Sequence, residues 1–160
     1  MNIRIMTKDD FYVFWPTFLQ IVRAQETYAF DPEISFDEAY TLWCELPLHT
    51  FVCLDEGVIS GSYYIKANGV GPSSHICNCG YMVCAGSRGK GIARLMCEHS
   101  QQIAKESGYT AMQFNSVVSS NVVAVHLWKQ LGYQIIGTVP DGYNHLQQGY
   151  VDTYIMYKQL

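Results

Sequence analysis

Past the middle of the chain, between a β-rich stretch and an amphipathic one, runs Ala85-Gly86-Ser87-Arg88-Gly89-Lys90-Gly91-Ile92-Ala93. Few folds accommodate such a turn at that place. Glycine has no Cβ, so the backbone can turn tightly and admit a ligand close to its amides. The first-turn amides of the helix it opens lack intrahelical partners. Together with the positive end of the helix dipole they form an anion site suited to a pyrophosphate, and Arg88 and Lys90 add positive charge. A nucleoside-triphosphate loop would read G-x-x-x-x-G-K-[ST], whereas Gly91 is followed by Ile92-Ala93. A doubly wound dinucleotide fold carries its glycine turn after the first strand, among parallel units. Here the turn follows what reads as an antiparallel meander.

The other elements follow from caps and periodicity. Asn2 to Met6 alternates like a short strand, and Thr7-Lys8-Asp9-Asp10 resembles a capping box. Phe11, Phe14, Trp15, Phe18, Ile21 and Val22 recur at helical spacing, with Pro16 in the first turns or at a kink. Ser35-Phe36-Asp37-Glu38 caps a second, short helix that Pro47 ends. Phe51 to Leu54 and Val58 to Ile65 flank Asp55-Glu56-Gly57 as a hairpin, and His75 to Cys84 is another strand. Ile92, Leu95, Met96 and Ile103 mark an amphipathic helix that Gly108 terminates. Ala111 to Val118 is β-rich, and a helix from about Asn121 to Leu131 follows. Gln134 to Val139 and Val151 to Lys158 read as the last strands, with no repeat or linker to divide residues 1–160. The expectation is one domain of order β-α-α-β-β-β-α-β-α-β-β.

Composition excludes several classes of function. With 49% hydrophobic and 15% charged residues, the 160-residue chain can bury a substantial core. No apolar run approaches the roughly 18–20 residues of a membrane span. Met1-Asn2-Ile3-Arg4-Ile5 lacks the apolar core of a secretory signal, so a cytoplasmic address and no membrane partner are expected. A net charge of −4 argues against nucleic acid as the main partner. The six cysteines match neither a paired C-x-x-C zinc site nor a secreted disulfide scaffold. His75, Cys77 and Cys79 alternate onto one strand face, but no fourth ligand is evident. No metal is expected, and the thiols read as small buried hydrophobes.

Arg88-Gly89-Lys90-Gly91-Ile92-Ala93 satisfies every fixed position of Q/R-x-x-G-x-G/A. With the element order, this makes the chain resemble a GNAT-superfamily N-acetyltransferase over essentially its whole length. The resemblance implies an α/β (α+β) fold: a mixed, mostly antiparallel sheet of six to seven strands flanked by helices. It implies acetyl-CoA as co-substrate and a small-molecule amine as partner, and it leaves open a homodimer, common among relatives. The backbone at Met82, Val83 and Cys84 would pair with the pantetheine arm like an added strand. Arg88, Gly89, Lys90, Gly91, Ile92 and Ala93 would hold the pyrophosphate, beside a point where the family's strands splay apart.

Asn121, Ala124, Leu127, Trp128, Gly132 and Tyr133 resemble the family's second motif, N-x-x-A-x-x-L-Y-x-x-x-G-F. Asn121 would bond the pantetheine region, a role compatible with capping the helix it starts. Trp128 stands where the family often has a tyrosine acid, and an indole N–H cannot protonate a departing thiolate. Tyr133 and Tyr143 are substitutes without an identifying spacing.

The segments around His75 to Val83, Phe114 to Val118 and Tyr150-Val151-Asp152 are similar to the fungal proline-analogue (azetidine-2-carboxylate) acetyltransferases and their bacterial relatives. There, asparagines on two central strands hold the substrate carboxylate, and Asn78 and Asn115 match those positions. Strand asparagines are disfavoured by propensity, and an unpaired buried amide costs about 1–3 kcal/mol, so two beside one cleft invite a role. The alternative is that both satisfy bulges or loops. Gln25-Glu26-Thr27-Tyr28 resembles the substrate-side loop, with Glu26 recruiting the amine or a water and Tyr28 lining the site; an exposed surface glutamate is the ordinary reading. Direct transfer to a small amine, with Asn115 and Glu26 catalytic, is the expected chemistry. The competing readings are another acceptor (an antibiotic, a polyamine, a protein N-terminus) or a non-catalytic acyl-CoA sensor.

Overall fold

Both cap signals near the N-terminus close as hydrogen-bonded boxes in the computed structural model, which describes residues 1–160. Thr7 Oγ1 accepts from the Asp10 N–H at 3.2 Å and Asp10 Oδ2 accepts from the Thr7 N–H at 2.8 Å, opening α1 (Lys8–Ala24). Arg4, on strand β1 (Asn2–Ile5), pairs with Asp10 at 2.6 Å and holds its carboxyl well below the usual carboxylate range. Pro16 sits on the exposed side of the α1 interior, where it leaves the Tyr12 carbonyl without its helical donor. Ser35 and Glu38 open α2 (Phe36–Tyr40), which runs into a π-turn over Thr41–Glu45 that buries Trp43.

Strands β2 (His49–Asp55), β3 (Val58–Ala67) and β4 (Ile76–Val83) form the meander. Helix α3 (Ile92–Glu106), strand β5 (Ala111–Val118), helix α4 (Val122–Gln130) and strands β6 (Gln134–His145) and β7 (Gly149–Gln159) complete the chain. The element order is the expected one, in a seven-stranded sheet ordered β1-β2-β3-β4-β5-β7-β6. Every neighbouring pair is antiparallel except β4–β5.

The last hairpin differs from expectation. Pro140-Asp141-Gly142 has turn composition, yet β6 continues through it to His145. The residues form a bulge: the β6–β7 register shifts between Val139 and Tyr143, Asp141 adopts φ 51°, and its N–H donates to Asp152 Oδ1 at 3.0 Å. His75 likewise falls just outside β4, its ring Nδ1 3.1 Å from Pro72 O, apart from buried Cys77 and Cys79.

Two cores divide the sheet faces. On one, α3 and α4 bury Ile92, Met96, Cys97 and Trp128 against Tyr63, Ile65, Cys77, Cys79 and Phe114. On the other, α1 and the α2 turn bury Phe11, Phe14, Phe18 and Trp43 against Met82, with Tyr64 packed beside them. Alternation along each strand therefore assigns Tyr64, Lys66, Asn78 and Gly80 to the α1 face.

Candidate active site

The parallel pair β4–β5 is short. It pairs only Ile76 with Ala111 and Cys77 with Met112. The Asn78 Nδ2 then donates to Gln113 O at 2.9 Å, a side chain standing in for the next ladder bond. Farther along, β5 bulges: its register with β7 shifts between Phe114 and Val117, leaving Asn115 and Ser116 unpaired. The strands part into a cleft of about 930 Å³.

One half of this cleft is built from main chain. The Cys84 N–H donates to Ser60 O at 2.9 Å, so by antiparallel alternation Cys84 and Met82 direct their backbone groups toward β3. Of the three residues expected to pair with a ligand strand, only Val83 turns its backbone to the gap, and Tyr81 joins it. The Cys84 thiol donates to Ile59 O at 3.4 Å, and burial raises it above its ordinary range. It faces away from the cleft.

The glycine turn follows. Gly89 and Gly91 adopt φ 77° and 78°, a left-handed backbone that only glycine takes without strain. The first α3 bond runs from the Leu95 N–H to Gly91 O at 3.0 Å, which leaves the amides of Ile92, Ala93 and Arg94 without helical partners at the dipole's positive end. Arg88, Gly89, Gly91, Ile92 and Ala93 all line the cleft, whereas Lys90 is not among the residues that line it. Arg94, one residue past the motif, is a lining residue that motif matching missed; it donates to Gln130 Oε1 at 2.7 Å. Asn121 caps α4 by accepting from the Ala124 N–H at 3.3 Å and lines the same wall, with its Nδ2 uncommitted.

The other half carries side chains. Asn78 is buried, its Oδ1 accepting from Tyr64 OH at 3.1 Å while Nδ2 holds Gln113 O. One N–H of that amide remains. Asn115 is exposed in the gap, accepting from Gln113 Nε2 at 3.0 Å and donating to Asn68 Oδ1 at 2.6 Å. Tyr28, on the loop after α1, donates to the gap-facing carbonyl of Tyr81 at 2.7 Å. Burial keeps its phenol protonated, well above the usual range. Glu26 follows Gln25, a left-handed C-cap at φ 51°, and lines the cleft as an exposed carboxylate. Tyr64 and Lys66 complete this half without having stood out in the sequence. Burial pushes the Tyr64 phenol up to about 12. The available hint was Gly80 in mid-strand, which marks close approach of another group: a Cβ there would lie 2.6 Å from the Tyr64 ring.

Trp128 lines the cleft and packs 5.2 Å from Phe114 and 5.1 Å from Tyr81, ring to ring. Neither substitute tyrosine reaches the cleft. Tyr133 is buried with its OH on Met112 Sδ at 2.8 Å, and Tyr143 donates to Tyr28 O at 2.9 Å. Burial, then the nearby charge of Glu26, raises the Tyr143 phenol. No three His, Cys, Asp or Glu side chains gather where they could hold a metal ion.

The arrangement has counterparts among known proteins. A model of the Acetyltransferase (GNAT) family matches residues 15–133. A GCN5-related N-acetyltransferase from Kribbella flavida is 39% identical and superposes with a TM-score of 0.94 over 99% of this chain and 97% of that one. A phosphinothricin acetyltransferase from Sinorhizobium meliloti, solved in complex with AcCoA, shares the fold at 17% identity, with a TM-score of 0.87 over 99% of this chain and 88% of that one. The N-acetyltransferase aca1 of Schizosaccharomyces pombe is 38% identical over 96 residues, 59% of this chain and 46% of that protein. The match therefore spans about half of that relative's length.

Proposed function

The chain belongs to the Acetyltransferase (GNAT) family, and from that premise we propose that residues 1–160 form one N-acetyltransferase domain that uses acetyl-CoA to acetylate a small amino acid or proline analogue. The observation that carries this reading is the parting of β4 and β5 over a cleft with unpaired helix amides on one side and strand amides on the other. The Ile92 to Arg94 amides, Arg88 and the Asn121 Nδ2 suit the diphosphate and pantetheine of the coenzyme, which supplies an activated acetyl thioester. The gap-facing backbone of Val83 and Tyr81 suits the strand-like arm. Gap-facing β4 amides would also stabilise charge developing on the acetyl oxygen.

The acceptor must attack as a neutral amine. Glu26 is the one carboxylate on the cleft lining and would take the amine's proton, directly or through water. An N–C bond then forms as the C–S bond breaks, and the coenzyme leaves as a thiolate, which water can protonate. Cys84, with its thiol raised and turned away, offers no covalent route. The proline-analogue acceptor is supported by Asn78 and Asn115 flanking the fork. A cytoplasmic site of action goes with this reading, and no helix is long and apolar enough to cross a membrane.

The test is thiol release from acetyl-CoA across a panel of amines: amino acids, proline, azetidine-2-carboxylate, polyamines, aminoglycosides and peptide N-termini. Turnover is expected with one or more of the free amino acids or proline analogues. Turnover restricted to the other amines would overturn the acceptor. Silence with all of them would leave an acyl-CoA sensor, the reading favoured by Trp128.

A further inference from the structure

We propose that Lys66 is the cation that receives the acceptor's carboxylate, so that the site recognises a zwitterion with Lys66 at one end and Glu26 at the other. This rests on the acceptor half of the cleft assigned above. Four Lys, Arg, Asp or Glu side chains line the cleft: Glu26, Lys66, Arg88 and Arg94. The two arginines belong to the glycine turn and the first turn of α3, beside the unpaired helix amides. Lys66 is the one remaining cation and Glu26 the one anion.

The position of Lys66 follows from register. It pairs directly with Asn78 across β3–β4, so both side chains leave the α1 face side by side. Its Nζ lies 5.4 Å from the centre of the Tyr64 ring, and the OH of that same ring donates to Asn78 Oδ1 at 3.1 Å. One ring thus lies against both the ammonium and an amide that still has an N–H to give. No protein anion answers Lys66: the chain's ion pairs are Arg4–Asp10 and Arg94–Glu98. A cation with an adjacent amide donor and no protein counter-ion matches a carboxylate, which accepts from several donors at once. An uncharged amine or a polyamine would leave Lys66 unanswered or repelled.

The experiment measures binding, so it does not depend on turnover. The full chain saturated with coenzyme A is titrated calorimetrically with two matched pairs: proline against pyrrolidine, and azetidine-2-carboxylate against azetidine. The unaltered chain should bind each acid more tightly than its carboxylate-free counterpart. Lys66→Met should weaken the acids by roughly 10- to 100-fold while moving the simple amines far less, so that the preference collapses. Lys66→Arg should keep most of it. Retained coenzyme A affinity certifies that each variant is folded, as expected for an exposed strand residue, and Lys66→Gln serves if the methionine variant is unstable. An unchanged preference in Lys66→Met or Lys66→Gln, no preference in the unaltered chain, or no binding of either acid overturns the proposal. Acid binding that depends on Lys66, with no thiol release, would sustain this inference and remove catalysis. Thiol release indifferent to Lys66 and to the carboxylate would do the reverse.

Discussion

Gly80 and Asn115 show how closely the Lys66–Asn78 side of the cleft is fitted together. Gly80→Ala would drive a Cβ to 2.6 Å from the Tyr64 ring, displacing the phenol that holds Asn78. The expected cost is about 1–3 kcal/mol in denaturant unfolding, together with a raised acceptor KM. Asn115→Ala should raise the acceptor KM by about tenfold and the acetyl-CoA KM by much less; equal effects in steady-state kinetics would remove Asn115 from acceptor binding. Both asparagines stand out in the sequence because a polar amide in a β-rich run has few ordinary explanations, and both line the cleft. Tyr64 and Lys66 do not stand out, because their place beside Asn78 comes from lying opposite Gly80 and Asn78, and register is a property of two strands.

Among the elements, the glycine turn was the most legible, since a left-handed backbone at two nearby positions leaves a local trace. Gly91→Val tests it. The φ of 78° imposes a strain of about 1–2 kcal/mol or more on a branched side chain. A Cβ there meets nothing within 4 Å, so the fold should survive by circular dichroism. Acetyl-CoA affinity by calorimetry should fall by about 100-fold, because the same strain tilts the amides of the first α3 turn and the added methyls occupy the ligand's approach. Caps were equally readable, each resting on residues three apart. The full length of β6 was not. Pro140-Asp141-Gly142 has the composition of a chain reversal, and a bulge uses the same residues without ending the strand. The backbone direction at Met82 and Cys84 was also hidden, because it depends on which of their faces β3 occupies.

At the scale of the molecule, the far end of the sheet steadies the fork. The Leu146 N–H donates to Gln25 O at 3.1 Å, and Tyr143 OH donates to Tyr28 O at 2.9 Å, over a sequence separation of 115 residues. Tyr28 in turn reaches Tyr81 O. Tyr143→Phe should cost about 1 kcal/mol in stability and raise the acceptor KM through a looser α1–α2 loop, while coenzyme A affinity stays put. Matched thermal melts and steady-state kinetics would check both halves of that expectation. Nothing in the sequence pairs Tyr143 with Tyr28; only the folded hairpin does.

The cleft between β4 and β5 is lined from both faces of the sheet. On the reading proposed above, the coenzyme takes the side lined by the first turn of α3 and the start of α4, while the acceptor takes the side of Lys66 and Asn78, on the α1 face. Reactants that arrive by separate doors need not queue: neither has to depart before the other is seated, and either product can diffuse away first. Reciprocal rate plots should accordingly cross instead of running parallel. Remodelling one doorway, to admit a different acceptor, would leave the opposite one in working order.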